Sequence, residues 1–144
     1  MKEDLELIVA EPAGVYSRRP PMVVDCSVLA AVLFDEPERE IAARSLAGRS
    51  LHAPNLIDHE LVSVAVKKAK LGLLDVASQG LIDLKRLALS RRSIDPGEQL
   101  ELARRHGLTA YDAAYLRLAI ELGAPLATFD RMLGKVACDT LSKG

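Results

Sequence analysis

Short apolar runs that alternate with longer helix-like stretches constrain this chain most. Val23-Val24, the stretch at 50–53 and the stretch at 125–128 are each only a few residues long, and each is followed by a segment with helical periodicity. Brief strands separated by helices read as a parallel sheet covered on both faces. The pattern predicts strands at 22–25, 50–53, weakly at 92–95, at 125–128 and terminally at 137–141. Helices are predicted at 28–34, 38–48, 56–70, 74–90, 97–106, 109–123 and 130–136. Pro37 suits a helix start, Gly107 a helix end and Thr109 the N-cap of the next helix.

With 144 residues and 49% apolar side chains, one domain with its own core is expected. Residues 1–21 read as an N-terminal extension or linker, with "SRRPP" as the linker and "LELIVA" as an edge strand or loose arm. The domain proper is expected over 22–144, and Met22 is itself a possible start. A net charge of −1 gives no global basic field, so any nucleic acid must be held by local clusters. The longest strictly apolar stretch, Val28 to Phe34, is too short to span a bilayer, so no membrane association is expected. The acidic N-terminus has no signal-peptide core, and a cytoplasmic location follows as an expectation. Cys26 and Cys138 match no zinc spacing and are expected to be core thiols.

Four acids carry the chemistry, and each alone has an ordinary explanation. Asp25 ends the first strand and suits a helix cap. Glu60 lies near a positive helix end. Asp112 stands at the third position after Thr109, the spacing of a capping box, and Asp130 suits the N-cap of the last helix. Connectivity changes the balance. A helix that follows a strand of a parallel sheet starts at the carboxyl edge, where open α/β sheets bind ligands. Asp25, Glu60, Asp112 and Asp130 are all expected at that edge. Two carboxylates ~4 Å apart repel by about 4 kcal/mol at an effective dielectric of about 20. Protonation or a divalent cation relieves that repulsion. An all-oxygen donor set without His or Cys suits Mg²⁺, with Mn²⁺ as a substitute.

Rival acids fit less well. Asp58, two residues from Glu60, faces the other way on a helix, and Asp35, Glu36 and Glu38 look like a solvated helix start. His52, His59 and His106 form no ligand pair at helical spacing.

The segments "VVDCSVLAAVLFDEPE", "APNLIDHELVSV" and "GLTAYDAAYLRLAIELGAPLATFDRML" together resemble the PIN-domain ribonucleases, especially the VapC-type toxins of toxin–antitoxin pairs. The likeness covers most of residues 22–136. It implies a three-layer α/β/α sandwich around a parallel sheet of about five strands. It further implies a Mg²⁺-dependent endoribonuclease with Asp25, Glu60, Asp112 and Asp130 as the catalytic, metal-binding acids. Ser27 would support Asp25, Thr128 would border the site, and Arg131 is the best candidate for a phosphate contact. An RNA substrate, a cognate antitoxin and a homodimer are implied as partners. Two departures stand out: Ser63 occupies a position where Asn is frequent, and Phe129 one where a small residue is common. The alternatives are a catalytically silent PIN-like module that binds protein or RNA, and a phosphatase with Asp25 as nucleophile. The second is disfavoured because "DCSVL" offers no second Asp.

Overall fold

The computed structural model describes residues 5–12 and 19–143. Its elements in chain order are β1 (Ile8–Ala10), β2 (Pro21–Val24), α1 (Cys26–Leu33), α2 (Arg39–Leu46), β3 (Ser50–Pro54) and α3 (Ile57–Lys70). They continue as α4 (Leu74–Arg86), β4 (Leu89–Arg92), α5 (Pro96–His106), α6 (Ala110–Leu122), β5 (Leu126–Thr128) and α7 (Arg131–Leu141). The strands form one sheet in the order β1-β5-β2-β3-β4. The pairs β5-β2, β2-β3 and β3-β4 are parallel, while β1 runs antiparallel to β5.

The strand order explains where a ligand can sit. From β2 to β3 to β4 the chain moves one way along the sheet, through α1–α4. From β4 it returns past β2 to β5, through α5 and α6. Right-handed crossovers in opposite directions put the two helix sets on opposite faces. The packing agrees: α1 lies against α2, α3 and α4, whereas α6 packs on α5 and α7. The direction reverses between β2 and β5, so a crevice opens at their carboxyl ends. Val23, Val24, Leu126 and Ala127 are fully buried, as strands covered on both faces must be.

Three departures from the sequence expectations have physical causes. Helix α4 stops at Arg86 and β4 lies at Leu89–Arg92, earlier than the predicted 92–95. Only Leu89 of β4 is buried, because this edge strand exposes Ser90, Arg91 and Arg92, and so it carries almost no apolar signal. The predicted terminal strand at 137–141 is helix instead. Leu133, Gly134, Ala137 and Leu141 are buried at helical spacing, and α7 continues through them.

The second edge of the sheet is β1, paired in register Ile8↔Thr128, Val9↔Ala127 and Ala10↔Leu126. It comes from the stretch that reads in sequence as an extension or linker. Of the linker stretch "SRRPP", Ser17 and Arg18 lie outside the described residues, and Pro21 already begins β2. Ile8 packs directly on Gly134 of α7: a Cβ there would come within 2.5 Å of Ile8 Cδ1. Both cysteines are free thiols, but only Cys26 is in the core; Cys138 is exposed, on the outer side of α7.

Candidate active site

Asp25 sits at the end of β2 and in the N-cap position of α1, yet its side chain makes no capping hydrogen bond. Its Oδ2 instead accepts two hydroxyl bonds, from Thr128 Oγ1 at 2.7 Å and from Ser27 Oγ at 3.0 Å. Each hydroxyl is oriented from behind by the turn after β5. The Phe129 N–H donates to Ser27 Oγ at 3.1 Å, and the Asp130 N–H donates to Thr128 Oγ1 at 2.9 Å. A backbone bond from Asp25 N–H to Ala127 O fixes the two strand ends together. A nearly buried carboxylate is thus held by two hydroxyls on Oδ2, with the Cys26 N–H as a further donor to the carboxyl.

The other acids come from helix starts. Glu60 lies in the first turn of α3, half-buried, and Tyr115 Oη donates to its Oε1 at 2.7 Å. Asp112 lies in the first turn of α6, where its N–H caps onto Thr109 Oγ1 at 3.1 Å. Asp130 does cap α7, accepting from the Leu133 N–H at 2.9 Å. The capping explanation is therefore correct for the chain start of α7, and capping by Thr109 is correct for α6. For Asp25 it is not.

The acids share one electrostatic field. The Asp25 carboxyl is raised above its ordinary value mainly by burial, against the pull of Thr128, Ser27 and the Cys26 N–H, and Asp130 adds to the rise. Glu60 is raised by burial, opposed by the Tyr115 hydroxyl, and raised further by Asp25 and Asp112. Asp112 is pushed up to about 6 by burial, then by Asp130 and Asp25, with Thr109 opposing. Cys26 beside them is pushed up to about 12, first by burial and then by the charges of Glu60 and Asp25. It is a protonated packing residue.

Among the described residues, none of the four acids takes part in an ion pair, whereas three of their sequence rivals do. Asp58 holds Arg91 through two bonds of 2.6 and 2.8 Å, Asp35 pairs with Arg39, and Glu36 pairs with Lys68. Several other cations are paired as well: Arg104 and Arg105 lie against Glu101, and Arg117 against Glu98. Arg131, exposed and next to Asp130, has no such pair among the described residues.

The donor chemistry suits a hard divalent cation: carboxylate oxygens, mutually repelling, without a counter-charge. No three His, Cys, Asp or Glu side chains among the described residues are gathered tightly enough to enclose an ion directly. Mg²⁺ tolerates that arrangement, because it keeps several waters and is commonly held by one or two carboxylates. A cavity of about 510 Å³ opens beside Ser27 and Phe129. Leu5, Ala30, Ala31 and Val64 line it together with Glu36 and Glu38. The four acids do not line it, so it is a neighbour of the acid cluster and not its mouth. Phe129 is itself nearly buried in its wall, and Ser63 is exposed on α3.

The PIN domain family model matches residues 22–138. This chain belongs to the PIN-domain family. Within it the similarity is to VapC proteins. The chain is 36% identical over 121 residues to Ribonuclease VapC3 of Pyrobaculum aerophilum, covering 79% of this chain and 92% of the relative. It is 34% identical over 123 residues to VapC ribonuclease Mb0985 of Mycobacterium bovis, covering 81% and 94%. For Ribonuclease VapC12 of Mycobacterium tuberculosis the identity is 31% over 117 residues, covering 79% and 90%. The crystal structure of PAE2754 from Pyrobaculum aerophilum superposes with a TM-score of 0.62 at 29% identity, over 78% of this chain and 76% of that one. The chain is thus a VapC-type PIN protein with an α/β/α fold and a mostly parallel sheet.

One residue bonded to this acid cluster has no clear signal in the sequence: Tyr115. It stands three positions after Asp112 in "DAAY", on the same side of α6. That spacing was the available signal, hidden because a tyrosine in an apolar helix reads as core.

Proposed function

We propose that this PIN protein is a Mg²⁺-dependent endoribonuclease that hydrolyses RNA phosphodiester bonds, and that it is the toxin of a toxin–antitoxin pair. The observation that carries the reading is the cluster of Asp25, Glu60, Asp112 and Asp130 at the sheet's reversal point, left without a basic partner among the described residues; Asp25, Glu60 and Asp112 are raised by burial first and by neighbouring carboxylates after it. The ribonuclease names of the VapC relatives support the same class of activity.

In this reading Asp25 and Asp112 would hold the ion directly, Asp130 would bind it through water or complete a second site, and Glu60 would be a ligand or a water-orienting base. When bound, the ion activates water and offsets charge on the phosphoryl oxygens in the transition state. Ser27 and Thr128 keep Asp25 from rotating by holding Oδ2. Arg131 supplies a phosphate contact at the rim. The product ends are a 5′-phosphate and a 3′-hydroxyl. Few aromatics are exposed, so recognition depends on RNA shape and phosphates.

By family likeness the partners are a cognate antitoxin, whose segment covers the acidic site, and a second copy in a homodimer. Val62 and Val66 are half-exposed one turn apart on α3 and offer apolar surface for such contacts. No helix among the described residues is long and apolar enough to cross a membrane. A cytoplasmic site of action belongs to the proposal.

The test is incubation of a total-RNA pool with the purified protein, with and without Mg²⁺, and mapping of the new ends by sequencing. Defined cleavages that need the ion support the reading; an unchanged pool under both conditions sinks it. A catalytically silent PIN module is favoured by one observation, the absence of any three ligand side chains enclosing an ion among the described residues. Calorimetric titration with Mg²⁺ that gives no heat of binding would favour that module.

A further inference from the structure

Tyr115 is fully buried, and its ring fills core space that a phenylalanine would fill equally well. Its hydroxyl is the anomaly. A buried phenol must find a hydrogen-bond partner, and this one spans from α6 to α3, helices that belong to opposite faces of the sheet. The 2.7 Å bond to Glu60 Oε1 is short, as expected when a hydroxyl donates to a carboxylate. The Glu60 carboxylate has no other hydrogen bond among the described residues, whereas that of Asp25 has two hydroxyl donors and that of Asp130 a backbone N–H. One turn before Tyr115, α6 also carries Asp112. A single helix therefore delivers one acid of the cluster and, among the described residues, the only side-chain restraint found on another.

We propose that Tyr115 is a positioning residue: its hydroxyl fixes Glu60 of α3 relative to Asp112 of α6 across the carboxyl edge of the sheet. The proposal rests on the ribonuclease reading for its chemistry and on the Tyr115–Glu60 geometry for its existence. The bland alternative is a core tyrosine whose hydroxyl simply uses a nearby carboxylate. The two differ in whether the effect of the hydroxyl passes through Glu60.

Four full-length proteins decide it: wild type, Tyr115→Phe, Glu60→Gln and the double variant. Each is assayed for Mn²⁺ affinity by calorimetry, for thermal melting and for the rate of RNA cleavage. The expected result is a near-native melt for Tyr115→Phe, with Mn²⁺ affinity and kcat each reduced by about tenfold or more, the size usual for groups that orient metal ligands. In the Glu60→Gln background the same change is expected to alter neither. Wild-type affinity and kcat in Tyr115→Phe would overturn the proposal, and so would equal losses in both backgrounds. Should Tyr115→Phe melt below the assay temperature, Glu60→Asp withdraws the carboxylate from an intact Tyr115. A comparable loss of Mn²⁺ affinity then supports the proposal, and an unchanged affinity overturns it. A wild type that binds Mn²⁺ but cleaves no RNA removes the nuclease reading, and the affinities of the four proteins still decide the role of Tyr115. A wild type that does neither ends both.

Discussion

The acid cluster has two halves built on different principles. The strand-borne half, Asp25 with Ser27 and Thr128, is knitted into the sheet: every hydroxyl bond to Asp25 is backed by a backbone N–H from the turn after β5. The helix-borne half, Glu60 and Asp112, is half-buried and held by one side-chain bond and one cap. Adjacent parallel strands fix their ends rigidly through ladder bonds, whereas helices on opposite faces meet only through side chains. The strand half is therefore preorganised, and the helix half can adjust to what binds.

The largest effect is expected where preorganisation is greatest. Asp25→Asn keeps an oxygen able to accept from Ser27 and Thr128, so the melt should stay close to wild type. RNA cleavage should fall by about 1000-fold or more, the equivalent of the several kcal/mol that a bound metal ion contributes to a transition state. Full cleavage in this variant would remove Asp25 from the chemistry and reduce the strand half to a structural feature.

Thr128→Val separates scaffold from chemistry within the same half. Valine fills the same buried space but takes a donor from Asp25 and an acceptor from the Asp130 N–H. Leaving such groups unsatisfied costs about 1–3 kcal/mol. A chemical-denaturation curve should show that loss, and cleavage should decline in parallel because Asp25 is freed to rotate. A variant of unchanged stability would mean that the hydroxyl bridge is not what holds the strand half together.

The same contrast governs what was legible in the sequence. Asp25 and Asp130 were placed correctly at one edge because a residue that follows a parallel strand has nowhere else to go. Connectivity also placed Glu60 and Asp112, but it could not reveal what restrains them. Tyr115 meets Glu60 across 55 positions of sequence, and such a pair has no local signature. The sheet edges were the least legible. At β4 the exposed Ser90, Arg91 and Arg92 hide a strand, and Arg91 is explained only by Asp58 of α3. At the other edge, Ile8–Ala10 is too short for its pattern to distinguish a strand from an arm; its partner, Leu126–Thr128, lies at the far end of the chain. The terminal stretch at 137–141 reads as strand in sequence because its short mixed pattern suits either period, and only its burial against β1 and β5 identifies the helix.

The smallest effect, and the one of opposite sign, is expected in the helix half. Asp112 is raised from 3.8 to about 6, chiefly by burial and then by Asp130 and Asp25. Between those two values the folded chain holds the proton more tightly than the unfolded chain does. Stability therefore falls as pH rises through that window and stays lower above it. Glu60 and Asp25, also raised, act in the same direction. Asp112→Asn removes one of the repelling charges. Because Asp112 is only half-buried, solvent screening leaves a gain of about 1 kcal/mol at neutral pH, with a flatter pH profile across the same window. Melting curves at pH 4 and pH 7, with and without Mg²⁺, read this directly. The wild type should gain from the ion at pH 7 and little at pH 4, while the Asn variant should start higher and gain less. An Asn variant less stable than wild type at pH 7 would show that Asp112 is held by attraction, and the division into a rigid strand half and a repelling helix half would fail.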